Sequence, residues 1–358
     1  MHTLAHFRDG MISALKKGCV RVLSVVLLYA GLSLPSHAQI WGVKAPDSGW
    51  NTPRRWLLFW FHEDGSEITF VGDIQGATKV DGLALSPQHG LLAFQNDGDL
   101  YRDTGNNARL VRIDPATLQA TVIGSWLAGR SIHGAAFDLQ GRLWAVDVRQ
   151  GELLQIDPTN GNIITSVPLS YQGNRLYPSH ATDIAFDRYG VAYLSDYIPS
   201  PPYGAKYYQV DMQTGVLTLL HTDTQRVPGP ESAGPGVVGL AFSMRAPADR
   251  LFIFNDNGYD NIWYYDMNSG WTRVYMYDVL SSYVSGGYNS GPGDLASVMQ
   301  CASSNGDANN DGCVDDADML QVLFAFGSTG PNDADVNCDG MTDDADLLIV
   351  LFHFGNGC

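Results

Sequence analysis

No cysteine stands between Cys19 and Cys301. A domain built from those residues must hold together without disulfides or thiolate metal sites. Residues 301–358 lack Lys, Arg and Glu altogether, yet contain 11 Asp, which is most of the formal charge of −17. Nothing in that balance supplies the clustered cations that nucleic acid or an anionic membrane surface would need. No apolar run approaches the roughly 20 residues of a bilayer span. Also absent are a GxSxG elbow, an HExxH helix, a glycine loop for phosphate and a recognisable catalytic triad. A carboxylate pair for glycoside cleavage has no sequence signature, because the separation it needs is spatial.

What is present begins with a leader. Arg8, Lys16, Lys17 and Arg21 precede the apolar run VLSVVLLYAGLSL, and SHA offers small residues for cleavage after Ala38. This reads as a signal peptide over 1–38, with Met11 as a second candidate start, and it predicts a secreted chain. Cysteine usage agrees with export. Cys301, Cys313, Cys338 and Cys358 all fall in the acidic C-terminal segment, an even set that suits disulfides. Of the three pairings open to them, Cys313–Cys338 joining the two acidic stretches and Cys301–Cys358 clamping the ends are favoured.

Residues 39–300 repeat at roughly 50-residue spacing. The first strand of each unit reads VDGLALS, IHGAAFD, TDIAFD, VVGLAFS and GDLASV. The shared alanines, Ala84, Ala136, Ala185, Ala241 and Ala296, are 52, 49, 56 and 55 residues apart. Second strands follow a tight turn (GLLAF, GRLWAV), third strands end in Asp before another turn (LVRIDPATL, LLQIDPTNG), and a β-rich fourth follows. Short apolar or alternating strands broken by Gly and Asp turns exclude a helical reading. The first unit lacks an inner strand, and GDLASV at the far end supplies it, which closes a ring and removes sheet edges. The region resembles a five-bladed β-propeller of the bacterial extracellular kind, so the predicted class is mainly β with a small α-helical domain after it.

In such a ring the loops joining strands two and three, and those joining blades, share one face. Here they are the long ones, and that face is the expected ligand face. Asp81, His133, His180, Thr182, Asp183 and Asp294 stand at or just before the inner-strand starts, around the predicted channel mouth. There they could bind a ligand or metal or move protons, or simply cap strand ends and hold water. Tyr193, Tyr197, Tyr203, Tyr207 and Tyr259 fall in or beside the long loops, where Tyr203 and Tyr259 are candidates for stacking on sugar rings.

The C-terminal segment states one pattern twice. DANNDGCVDDAD covers residues 307–318 and DVNCDGMTDDAD covers 335–346. Read as 12-residue calcium loops, positions 1, 3, 5, 9 and 12 are Asp307, Asn309, Asp311, Asp315 and Asp318, then Asp335, Asn337, Asp339, Asp343 and Asp346. Position 7, Cys313 or Met341, offers a backbone carbonyl, and Gly312 and Gly340 permit the bend. Ca²⁺ wants six to eight hard oxygens, and this spacing wraps them around one point. The expected cofactor is therefore two Ca²⁺. Each loop leads into an apolar helix, ADMLQVLFAFG or ADLLIVLFHFG, with no clear helix before it. Loop then helix, duplicated, with Asp at position 12, resembles the type I dockerin module over about 305–357. That resemblance implies Ca²⁺-dependent docking onto a cohesin-bearing extracellular partner, commonly in polysaccharide breakdown. The stretches matching the family's recognition positions hold Leu323, Phe324, Leu351 and Phe352 in place of basic residues, and the linker is short, so packing on the chain's own propeller is the other partner expected. The reading is of a secreted binding protein with a docking module, and its rival is a glycoside hydrolase or polysaccharide lyase.

Overall fold

A computed structural model describes residues 39–45, 56–63, 65–97, 106–225, 237–243, 250–255, 261–278, 293–297, 306–309, 311–328, 333–337 and 341–358. The expected leader 1–38, Tyr259, Asp339, Gly340, Cys301 and Cys338 lie outside them. No described helix is long and apolar enough to cross a membrane.

Five antiparallel sheets form the blades. They are β4–β7 (Val80–Ser86, Gly90–Asn96, Asn107–Ile113, Ala120–Ala128), β8–β11 (Ile132–Phe137, Leu143–Asp147, Glu152–Ile156, Ile163–Pro168), β14–β17 (Ile184–Phe186, Ala192–Ile198, Gly204–Val210, Val216–Asp223), β18–β21 (Val237–Phe242, Arg250–Asn255, Asn261–Asp266, Thr272–Asp278) and a composite. The composite orders β22 (Gly293–Ala296), β1 (Gln39–Lys44), β2 (Leu57–His62) and β3 (Ile68–Asp73). Val43 pairs with Asp294 and Trp41 with Ala296, so the last inner strand completes the first blade. The five-bladed ring expected from the repeats is the ring observed.

The repeats make strands for local reasons. In the first three blades the third strand runs into an Asp whose carboxylate accepts from the backbone two residues on: Asp114 from Ala116 N (2.9 Å), Asp157 from Thr159 N (2.8 Å), Asp211 from Gln213 N (2.9 Å). Such Asx turns reverse the chain without a long loop. Between blades the inner faces interlock through large apolar side chains. Phe59 meets Phe254 at 5.6 Å and Phe61 meets Phe252 at 5.8 Å, which joins the composite blade to its neighbour. The sequence carried no signal for one hairpin, β12 (Ser170–Tyr171) and β13 (Asn174–Arg175), which adds parallel to β17 and covers the outer edge of the third blade.

After the ring come two helices, α1 (Asp316–Ala325) and α2 (Asp344–His353). They share a small core of Ala308, Val314, Val322, Ala334, Val336 and Val350. Val314 N donates to Asn356 O (2.9 Å) beyond α2, while Thr342 N donates to Ser328 O (3.0 Å) beyond α1. Each loop therefore pairs with the tail of the other repeat's helix. This exchange corrects the expected disulfides. Cys313 bonds to Cys358, with Cα atoms 4.6 Å apart, which rules out both Cys313–Cys338 and Cys301–Cys358. Position 7 of the first loop lies beside the tail after α2, so the crossed pairing of the repeats, and not the closeness of the two loops in sequence, chose the partner.

Candidate functional site

At the propeller axis the five inner strands place Gly82, Gly134, Asp183, Gly239 and Asp294 in register, one residue before Leu83, Ala135, Ile184, Leu240 and Leu295. The N–H groups of those five residues converge on two carboxylates. Asp183 accepts from Ile184 N (2.6 Å), Leu240 N (2.5 Å) and Ala135 N, and Asp294 accepts from Leu83 N (2.5 Å) and Leu295 N (2.7 Å). The two side chains also hydrogen-bond each other, and both are fully buried. The glycines make the room. A Cβ on Gly134 would stand 2.5 Å from the Asp183 Cα and Oδ1, and one on Gly239 2.7 Å from Leu295 N. Burial pushes Asp183 up to about 8, and it pushes Asp294 well above the usual carboxylate range, with the Asp183 charge adding to it. Two carboxyl groups that bond each other need a proton between them, which is the state these shifts describe. The axis is thus closed by an acid pair that satisfies five backbone donors.

Nearer the mouth, Asp81 and His133 do come together, with Nδ1 3.8 Å from the Asp81 Oδ2, and Ser131 Oγ lies 3.1 Å from His133 Nε2. The order Ser–His–Asp invites a nucleophile reading. Its surroundings do not suit one. All three side chains are buried, Ser131 N is spent on Asp147 (3.1 Å) and Ile132 N on Asn96 (2.9 Å), so these N–H groups are not available to an oxyanion. Thr182 donates to Ser195 O, and His180 is exposed.

Three residues the sequence reading passed over organise this region. Asn96, Asp147 and Ser195 lie at or near the ends of the second strands of successive blades and are buried. Asn96 holds the next blade at Ile132 N and O, Asp147 holds Ser131 N, and Ser195 accepts from Asp183 N (3.1 Å). The signal was available: a short polar residue recurs where each apolar second-strand run stops (FQN, AVD, YLS, IFN). On the expected ligand face, Tyr203 is exposed while Tyr207 is buried against Tyr265 and Trp271. Much of that face lies outside the described residues.

Among the described residues the two acidic loops share three equivalent hydrogen bonds. Asn309 N donates to Asp318 Oδ1 (2.9 Å), as Asn337 N does to Asp346 Oδ1 (3.0 Å). Asp315 N and Asp343 N each reach the other oxygen of the same Asp at 2.8 Å. Asp315 and Asp343 cap the helices, accepting from Ala317 N and Ala345 N at 2.8 Å. In the first loop Asp311 N bonds Asp307 (3.1 Å) and Asn309 (2.8 Å), Gly312 N bonds Asp307 (3.0 Å), and Gly312 takes φ +94°, the left-handed region that favours glycine at the sixth position. Asp318 and Asp346 are fully buried. Burial raises the Asp307 pKa, and the charges of Asp318 and Asp311 raise it further. Among the described residues no three His, Cys, Asp or Glu side chains converge as a closed metal cage. In the first loop Gly312 stands at the bend the sequence reading assigns to it.

Beside the loops lies an unusual surface. Phe324 is 87% exposed and Phe352 82%, and Leu320, Leu323, Leu348 and Leu351 are about half exposed. These six face outward, while Val322, Val350, Met319, Leu347 and Ile349 of the same helices turn to the module core.

No protein-family model matches the chain, and no curated protein matches it. Similar solved structures include TolB from Acinetobacter baumannii (13% identity, TM-score 0.37, 66% of this chain and 52% of that one). Others are virginiamycin B lyase from Staphylococcus aureus (15%, 0.34, 61% and 62%) and a gluconolactonase from Xanthomonas campestris (17%, 0.38, 61% and 65%). The chain spans about half to two-thirds of those proteins. The blade count rests on the sheet order described above.

Proposed function

We propose that this is a secreted, calcium-dependent docking protein. The propeller would present its long-loop face to an extracellular ligand, with Tyr203 a stacking surface for sugar rings. The C-terminal module would take two Ca²⁺ and offer the paired apolar faces of α1 and α2 to a protein partner. The observation that carries this reading is the shared set of backbone bonds by which each loop turns on a fully buried Asp, Asp318 or Asp346. Carboxylates gathered without any Lys or Arg in residues 301–358 oppose a compact state unless a cation joins them. Two like charges about 4 Å apart repel by roughly 4 kcal/mol at a near-surface dielectric. A divalent ion reverses that sign and stabilises the fold by mass action.

In the first loop Asp307, Asn309, Asp311, Asp315, Asp318 and the Cys313 carbonyl would hold the ion. In the second, Asp335, Asn337, Asp339, Asp343, Asp346 and the Met341 carbonyl would do so. The Cys313–Cys358 bond engages only the sulfur and leaves the main-chain carbonyl of Cys313 to this role. The dockerin resemblance supports the module reading through these residues, while Phe324 and Phe352 favour a partner more apolar than that family's usual one. The polysaccharide-degrading alternative gains nothing from Ser131, His133 and Asp81, whose setting is structural.

The test is calorimetry of the full chain with Ca²⁺ after chelator treatment, read beside helical circular dichroism with and without reductant. Two binding events per chain and a loss of helix under chelator plus reductant are expected. The absence of calcium uptake, with helix content unchanged by both treatments, would overturn the proposal.

A further inference from the structure

A second interaction surface lies on the opposite, short-turn face of the propeller. The turn of the third blade is fixed by Asp187, which accepts from Tyr189 N (2.9 Å), Val191 N (2.9 Å) and the Tyr193 hydroxyl (3.2 Å). Arg188 projects from this rigid turn beside its neighbour's ring, its Cζ 5.1 Å from the Tyr189 centroid. The guanidinium pairs with Asp333, in the segment between the two acidic loops, and the Tyr189 hydroxyl lies 3.4 Å from the same carboxylate. The Arg188 side chain is only 8% exposed. Corresponding turn residues are open in other blades: Pro87 and Gln88 in the first, Gln140 and Gly141 in the second. Arg142, on the second blade's turn, is instead tied to its own Asp138 (2.6 Å).

We infer that the C-terminal module docks on its own propeller, with Arg188 and Tyr189 as the receiving surface and Asp333 as the group received. Three observations agree on this partner. Charge is complementary, because residues 301–358 carry 11 Asp and no Lys or Arg, so any Lys or Arg partner must come from outside the module. Direction agrees as well. The inner strand β22 ends at Ala296 on the short-turn face, so the chain leaves the ring on the side where Arg188 stands. The reach suffices, since the ten residues from Ala296 to Gly306 span up to about 35 Å. Docking through the inter-loop segment leaves the Phe324 and Phe352 faces exposed, so the contact within the chain and a partner on the helices do not compete.

A zero-length cross-link tests the contact in the full-length protein. In Arg188→Lys the introduced amine should couple to Asp333 under a carbodiimide, seen as one branched peptide from the monomer band. Combining it with Asp333→Asn should reduce that product to background. Coupling to propeller carboxylates alone, no coupling of the introduced amine, or an undiminished product in the double variant would each overturn the inference. Because the readout is a covalent bond between two named positions, it does not depend on calcium binding or on any partner of the helices.

Discussion

Asp294→Asn should flatten the pH dependence of stability. In the folded chain Asp183 and Asp294 share a proton at the axis, with both pKa values raised, Asp183 to about 8. Unfolded, both return to the ordinary carboxylate range near 4. Above that range the native state therefore holds a proton that the unfolded state has released. The stability this pair provides is complete below the unfolded pKa and is lost as pH rises toward the folded one. Each proton that the native pair keeps and the unfolded chain has released costs about 1.4 kcal/mol per pH unit in that window.

The asparagine variant needs no proton, because its amide can donate to Asp183 directly. It has one carbonyl oxygen where Asp294 uses two, for Leu83 N and Leu295 N. One backbone donor then loses its acceptor, at about 1–3 kcal/mol. Wild type should be the more stable protein near pH 5, and its advantage should shrink by about 1.4 kcal/mol per unit toward pH 8. His133 and Asp81 at the mouth, and every surface carboxylate, are common to both proteins and drop out of the difference. Urea unfolding of the two proteins at four pH values measures it. Parallel stability profiles would refute the shared proton.

Other expectations follow from the same contacts. Gly134→Ala should destabilise by at least about 1–3 kcal/mol, the usual cost of overpacking, since its Cβ meets the Asp183 backbone and carboxylate; a urea midpoint equal to wild type would contradict this. Deleting Gly293–Ala296 should strip β22 from β1, expose an edge strand and cause aggregation, followed by size-exclusion chromatography. Replacing Phe324 and Phe352 together by Ser should change stability by no more than about 0.5 kcal/mol, because both already face solvent, while removing binding to any partner captured by the module.

The ring was legible because its signals are local and periodic. A strand of alternating or apolar residues, an Asx turn and a recurring alanine are each written in a few neighbouring residues. The count of five and the closure through GDLASV followed from them. The axis was only half legible. Asp183 and Asp294 stood out as acidic residues at the channel, but their pairing joins positions 111 residues apart, and the five N–H donors that hold them have no side-chain signature. The disulfide failed for a related reason. Cys313–Cys338 was expected to join the two acidic stretches, whereas the repeats exchange partners, so each loop lies against the other's helix tail.

That exchange also explains what the module's near-symmetry can and cannot do. A step of 28 residues carries Asp307 to Asp335, Asp318 to Asp346 and Phe324 to Phe352, so loops and apolar faces are equivalent. The same step carries Asn305 to Asp333 and Cys313 to Met341. The carboxylate that meets Arg188 and the sulfur that meets Cys358 thus each occur in one repeat only. A duplicated module floating free would present its two faces alike. This one carries an internal disulfide, Cys313–Cys358, and a carboxylate, Asp333, that meets Arg188 of the propeller, at two positions where the repeats differ. On the proposed docking reading the symmetric residues would serve the ion and the partner, while Asp333, which only one repeat carries, would fix which half faces the propeller.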